Sequence, residues 1–124
     1  MKHVVALIAG LLLAVPVLAQ HGHGAKGPNG GTMEDVAGVV AELVTAGNTL
    51  TVHVFDESGK PVTTKGFTAS ALVVAGANKE TVTLAVSGEN ALAGTTKNAI
   101  ATGSAVTVML KTAEGKTGQA RYKQ

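Results

Sequence analysis

Apolar and polar residues alternate along most of the chain beyond residue 33, with the period of two that is typical of half-buried β-strands. The clearest example is 49–56, where Leu50, Val52 and Val54 share one face and His53 lies on the other. Turn-forming Gly, Asn and Pro residues separate such segments. The predicted strands are 39–44, 49–56, 67–75, 80–86, 91–94, 104–111 and 118–123.

These short, closely spaced strands predict the fold class. Six or seven of them, in a chain long enough for one modest core, are typical of an all-β, antiparallel immunoglobulin-like β-sandwich. We therefore expect one β-sandwich domain over residues 33–124. A helix over 34–44 is disfavoured, because Gly38 and several β-branched valines lie in that segment.

Two segments, 54–60 and 110–116, leave a strand in the same way. Each runs from apolar residues to an acidic residue that is followed by Gly and Lys. Glycine at this place supplies the left-handed backbone that tight hairpin turns need. The similarity predicts that the chain uses the same hairpin turn twice.

Residues 1–19 have the layout of a secretory signal peptide. Lys2 precedes an apolar run over 4–15, and a cleavage site follows that ends in the small residue Ala19. The run is short for a membrane span. We therefore expect a periplasmic or secreted protein with no membrane anchor after signal cleavage. Residues 20–32, rich in Gly and His, are predicted to form a flexible tail with a turn at Pro28-Asn29.

Composition and charge exclude several classes of function. Ten Lys and Arg residues stand against eight Asp and Glu, and the basic residues form no run, so we expect no nucleic-acid partner. Cysteine is absent, which excludes disulfides, thiolate catalysis and cysteine-ligated zinc or iron–sulfur sites. No nucleophile elbow, zincin, Walker or Rossmann motif is found, so the sequence predicts that the protein is not an enzyme.

Two histidines, His21 and His23, follow the predicted cleavage site on a glycine-rich tether. Imidazole is a preferred ligand of Cu(II), Ni(II) and Zn(II), and a closely spaced pair can fold around one ion. If Gln20 begins the mature chain, its amine and the next backbone nitrogens can join His21 in a square-planar chelate. If Gln20 is removed, His23 becomes the third residue, which favours copper and nickel. The alternative is a solvated spacer without a ligand.

His53 is the third candidate metal ligand, and the only histidine inside the predicted domain. The eleven residues from His23 to Glu34 can span at most about 36 Å, so the tail can reach the sheet. Met33 and Met109 are soft ligands for Cu(I), but they are far apart in sequence. Packing alone also explains all three residues.

Four short motifs lie between residues 27 and 62: GPNGG at 27–31, AELV at 41–44, LTVHVFD at 50–56 and GKPV at 59–62. Together they resemble small bacterial periplasmic proteins of heavy-metal handling. They are similar to the N-terminal region of the periplasmic adaptor subunits of metal-efflux pumps and, more distantly, to immunoglobulin-like copper carriers. The chain lacks the methionine-rich loop of those carriers. The resemblance implies a metal-associated periplasmic β domain.

The sequence therefore predicts an exported binding protein that takes a divalent metal, with copper as the first candidate, weakly through His21 and His23. His53 is a further candidate ligand. The expected partner is a metal-efflux protein or another envelope protein. The rival hypothesis is a metal-free interaction or structural module of the cell envelope, which would use a sheet edge or face.

Overall fold

The computed structural model describes residues 24–124, so the predicted signal peptide and His21 and His23 lie outside the described residues. This part of the chain forms nine antiparallel strands and no helix, and hence no helix in it is able to span a membrane. The strands are β1 (Ala25–Lys26), β2 (Thr32–Val36), β3 (Val39–Ala46), β4 (Thr49–Phe55), β5 (Thr68–Ala75), β6 (Asn78–Ser87), β7 (Ala91–Thr95), β8 (Ala105–Lys111) and β9 (Thr117–Lys123).

All nine strands belong to one curled sheet with the order β1-β2-β3-β4-β7-β6-β5-β8-β9. β6 forms the corner, because its first part pairs with β5 and its last residues, 85–87, pair with β7. The sheet thus folds into a first layer, β1-β2-β3-β4-β7, and a second layer, β6-β5-β8-β9. The all-β prediction is confirmed. The immunoglobulin-like sandwich of six or seven strands is not, since nine strands share one continuous sheet.

The core lies between the two layers and is built from the inward face of each strand. Leu50, Val52 and Val54 of β4 are fully buried, as their alternation predicts, and Val106 and Val108 of β8 oppose them. Burial of each of these side chains stabilises the fold by about 1.5–3 kcal/mol, because it removes apolar surface from water. The period of two therefore identifies the inner face correctly.

The open edges of the sheet meet where β9 approaches β2 and β3. The buried Tyr122 hydroxyl of β9 donates a hydrogen bond of 2.8 Å to the Ala41 carbonyl of β3. A Cβ atom on Gly118 would lie 2.8 Å from the Ala37 backbone nitrogen, so only glycine allows β9 to come this close. This contact holds the curled sheet together without a ladder of backbone hydrogen bonds between β2 and β9.

The repeated turn at 56–60 and 112–116 is confirmed. In both segments the first residue donates its N–H to the carbonyl of the fifth over 2.8 Å, and the fourth donates to the first over 3.0 Å. The fourth residue is Gly59 or Gly115, each with a φ of +88°. Two different sequences that share Gly-Lys at their end thus form the same backbone turn.

The largest difference from the sequence prediction lies before residue 33. Residues 25–26 and 32–36 form β1 and β2, where the sequence predicted a linker up to residue 32 and no separate strand before 39. β1 has only two residues, and β2 carries the adjacent acids Glu34 and Asp35, so neither shows an apolar alternation. Pairing of β2 with β3, and of β1 with β2, makes these segments strands, and not their local pattern.

Candidate functional site

The N-terminal end of the described chain is fixed at the edge of the first layer. The Gly24 N–H donates to the Met33 carbonyl and to Oε1 of Glu34, each over 3.1 Å. Ala25 then pairs with Met33 in the β1–β2 ladder. The predicted ligand His23 directly precedes this point in the sequence. The predicted tail therefore joins the sheet immediately after His23 in the sequence.

The next segment, Gly27 to Gly31, is the glycine loop, and it covers the carboxylate of Glu42. Glu42 lies in the middle of β3 and its side chain is fully buried. Its Oε2 accepts hydrogen bonds from the backbone N–H groups of Asn29 (2.9 Å) and Gly31 (2.8 Å). Its Oε1 accepts one from the Asn29 side-chain amide (3.0 Å). These bonds replace the water that a buried carboxylate loses.

The glycines of the loop are required by close approach. A Cβ atom on Gly27 would lie 2.3 Å from Cδ of Glu42, and one on Gly31 would lie 2.1 Å from the Leu43 carbonyl oxygen. Neither distance is possible for real atoms. The GPNGG motif and Glu42 are therefore one structural unit, although they are separated in sequence.

The glycine loop is a third copy of the turn at 56–60. Its first residue donates to the fifth over 2.8 Å, its fourth donates to the first over 3.0 Å, and this fourth residue, Gly30, has a φ of +82°. At 56–60, Asp56 Oδ1 accepts the N–H groups of the third and fifth residues, Ser58 and Lys60, over 2.9 Å each. Glu42 accepts from the third and fifth residues of the glycine loop in the same way.

The carboxylates of Asp56 and Glu42 thus accept equivalent hydrogen bonds, although they lie at different positions relative to their turns. Asp56 is the first residue of its turn, and hydrogen bonds from the Ser58 hydroxyl and the Lys60 N–H lower the pKa of its carboxyl. Gly27, the first residue of its own turn, has no side chain. Glu42 fills the space of that missing side chain from the neighbouring strand, which is why a Cβ on Gly27 would overlap it.

His53 lies on the outer face of β4 and is half-buried, opposite to the buried Leu50, Val52 and Val54. Strand pairing places Ala25, Met33, Glu42 and His53 in one row across β1 to β4. Three strand spacings, about 14 Å, separate the ends of this row. The glycine loop stands between them, above Glu42.

The anchor at Gly24 shortens the flexible segment that the sequence predicted between His23 and the domain. Because Gly24 and Ala25 are held on β2, the ten residues between His23 and Glu34 do not act as a free chain. A metal shared by the tail and His53 would require the tail to turn back across β2 and over the glycine loop. The structure does not bring Gly24 and His53 together.

Within residues 24–124, no group of three or more His, Asp or Glu side chains is close enough to hold a metal ion. Met33 is buried with Val40 and Phe55 in a small second core on the outer face of the first layer. Met109 lies on the second layer and is exposed. The two methionines are therefore not parts of one site.

Sequence reasoning missed the role of Glu42. The available signal was a single carboxylate within the otherwise apolar stretch VVAELV at 39–44. A buried charge needs hydrogen-bond donors, and a nearby glycine-rich segment with free N–H groups can supply them.

Comparisons of this chain with protein-family models, with curated protein sequences and with solved structures find no match.

Proposed function

We propose that this chain is an exported periplasmic protein that binds a divalent metal ion, with Cu(II) as the first candidate, through His21 and His23. The signal-like residues 1–19 support export, and the closely spaced imidazoles behind them support the choice of ion. The single structural observation that carries the proposal is the anchor at Gly24, whose N–H is held by Met33 and Glu34.

The anchor matters because it separates the tail from the domain. Residues from Gly24 onward are bound to the sheet, so a metal-binding unit that ends at His23 has a short, defined length. Such a unit offers two imidazoles, the terminal amine and backbone nitrogens, which suit the square-planar geometry of Cu(II). His53 is at most an additional ligand, since about 14 Å and the glycine loop separate it from the row's first strand.

The partner that we propose is a metal-efflux protein or another protein of the envelope. The resemblance of residues 27–62 to periplasmic metal-handling proteins supports this choice. The glycine loop and Glu42 belong to two of the motifs that carry the resemblance, GPNGG and AELV. Their direct contact suggests that these motifs act as a structural unit that fixes the start of the domain.

Calorimetric titration of the exported, correctly processed protein with Cu(II) tests the proposal. We expect weak one-site binding that the double variant His21→Ala/His23→Ala abolishes. His53→Ala is the matched control, because it also removes an imidazole, and it should change the affinity little. Equal heats for the wild type and the double variant would refute metal binding by the tail and leave the metal-free interaction module. Mass spectrometry of the exported protein checks the cleavage site.

A further inference from the structure

The four strands of the second layer share one outer surface, here called the basic face. It consists of the outward residues of β6, β5, β8 and β9, which strand pairing arranges in rows. The rows are Lys79–Val74–Ala105–Lys123, Thr81–Leu72–Thr107–Arg121 and Thr83–Ser70–Met109–Gln119, followed by the shorter row Thr68–Lys111–Thr117.

Every charged residue in these rows is a cation. Lys79, Lys111, Arg121 and Lys123 lie at or near the margins of the face, and all four are exposed. No Asp or Glu occupies an outward position in the four rows. The sequence hides this clustering, because β7 and parts of β6 and β8 separate Lys79 from the other three cations along the chain.

The middle of the basic face is apolar and partly open. Met109 is 37% exposed, and Leu72 and Val74 are half-buried. Of the remaining uncharged outward positions, one is Ala105, one is Gln119 and the others are Thr or Ser. The face therefore combines a cationic margin with an apolar centre that is accessible from outside.

The outer surface of the first layer carries little charge by comparison. In the pairing of β2, β3 and β4, the outward positions that carry charge are Asp35 and Glu42, and Glu42 is buried under the glycine loop. The outward positions of β2, β3 and β4 thus carry none of the lysines or arginines that the basic face carries. A negatively charged surface would attract the second layer and leave the first layer, with Gly24 at its edge, facing away.

We propose that the basic face docks on the surface of an anionic lipid bilayer. Lys79 and Lys123 end one row, about 14 Å apart, and Lys111 lies six residues along β8 from that row, about 20 Å away. No single small anion contacts cations at these distances. A bilayer presents many phosphates over such an area, and its interface also accepts Met109 and its apolar neighbours.

Co-sedimentation of the mature protein with vesicles tests this docking. We expect binding to vesicles that contain phosphatidylglycerol, little binding to pure phosphatidylcholine, and a marked loss of binding as salt is raised. The variant Lys111→Gln/Arg121→Gln/Lys123→Gln should weaken partitioning by about 100-fold, since each cation near an anionic surface contributes about fivefold. The matched control, Lys26→Gln/Lys60→Gln/Lys65→Gln, changes net charge equally but lies off the face.

Three results would overturn the proposal. One is equal weakening in the two triple variants, because net charge and not the face would then explain binding. Another is no preference of the wild type for anionic vesicles at low salt. The last is tight binding of soluble polyphosphate that depends on the same cations while vesicles are ignored. Thermal unfolding followed by circular dichroism checks that both variants are folded.

A fluorescent reporter tests the orientation separately. The chain contains no tryptophan, so Met109→Trp places a single indole at the centre of the basic face. Anionic vesicles should shift its emission to shorter wavelength, and an unchanged spectrum with bound protein would overturn the assigned face. The variant His21→Ala/His23→Ala should bind vesicles like the wild type, so failure of metal binding and failure of docking are distinguishable.

Discussion

The relation between Glu42 and Gly27 leads to a compensation experiment. Glu42→Ala removes the acceptor of three hydrogen bonds, from the Asn29 N–H, the Asn29 side-chain amide and the Gly31 N–H. Gly27→Asp places a carboxylate at the first position of the turn, where Asp56 stands in the related turn at 56–60. The double variant should restore a hydrogen-bond acceptor for the loop, with the carboxylate now on the first residue of the turn and not on β3.

The expected magnitudes follow from these contacts. Hydrogen bonds to a charged group contribute about 1.5–3 kcal/mol each, but the loop donors regain water when the loop opens, so Glu42→Ala should lower the free energy of unfolding by about 3 kcal/mol. Gly27→Asp alone should lower it by about 2 kcal/mol or more, because its Cβ overlaps Cδ of Glu42. The double variant should lose only about 1–2 kcal/mol, a coupling of about 3 kcal/mol.

Urea unfolding followed by far-ultraviolet circular dichroism measures all four proteins under the same conditions, and equal slopes justify the comparison. Asp56→Ala is the matched control, because it removes the corresponding acceptor from an exposed turn. It should cost much less than Glu42→Ala. Additive losses in the double variant would refute the idea that Glu42 substitutes for a missing side chain at Gly27.

Two further predictions concern close packing and pH. Gly31→Ala should lower the free energy of unfolding by about 1–3 kcal/mol, because its Cβ would lie 2.1 Å from the Leu43 carbonyl oxygen; a urea midpoint equal to that of the wild type would contradict this. Burial raises the pKa of Tyr122 above its unfolded value of 10.0, so the unfolded chain ionises first and stability should fall as pH rises above about 10. Tyr122→Phe should cost about 1 kcal/mol at neutral pH through the lost bond to Ala41 but flatten the alkaline decline, and parallel pH profiles of the two proteins would be the contrary result.

The strand pattern of most of the domain was readable from sequence. The residue pattern identified seven of the nine described strands to within a few residues, and alternation over 49–56 put Leu50 and His53 on opposite faces. The Gly-Lys turns were also readable, because glycine with a positive φ is a local requirement. β1 and β2 were not, since their strand character comes from pairing partners and not from their own residues.

The functional interpretation depends on both the sequence and the structure. The residues of the proposed metal tail, His21 and His23, come from the sequence alone. The structure adds that Gly24 is held on β2, which separates the tail from His53 and shortens its tether. The basic face is visible only after strand pairing, because alternation gives each strand two faces without saying which neighbours share them.

Sequence by itself determined the all-β class, the turns and the inward face of each regular strand, because a period of two and a glycine turn are properties of a few consecutive residues. Only the tertiary structure decided what Glu42 binds and which cations stand together. Glu42 meets donors 11 and 13 residues away, and Lys79 shares a row with Lys123 through two intervening strands. Such contacts depend on the register between strands, which no local pattern specifies.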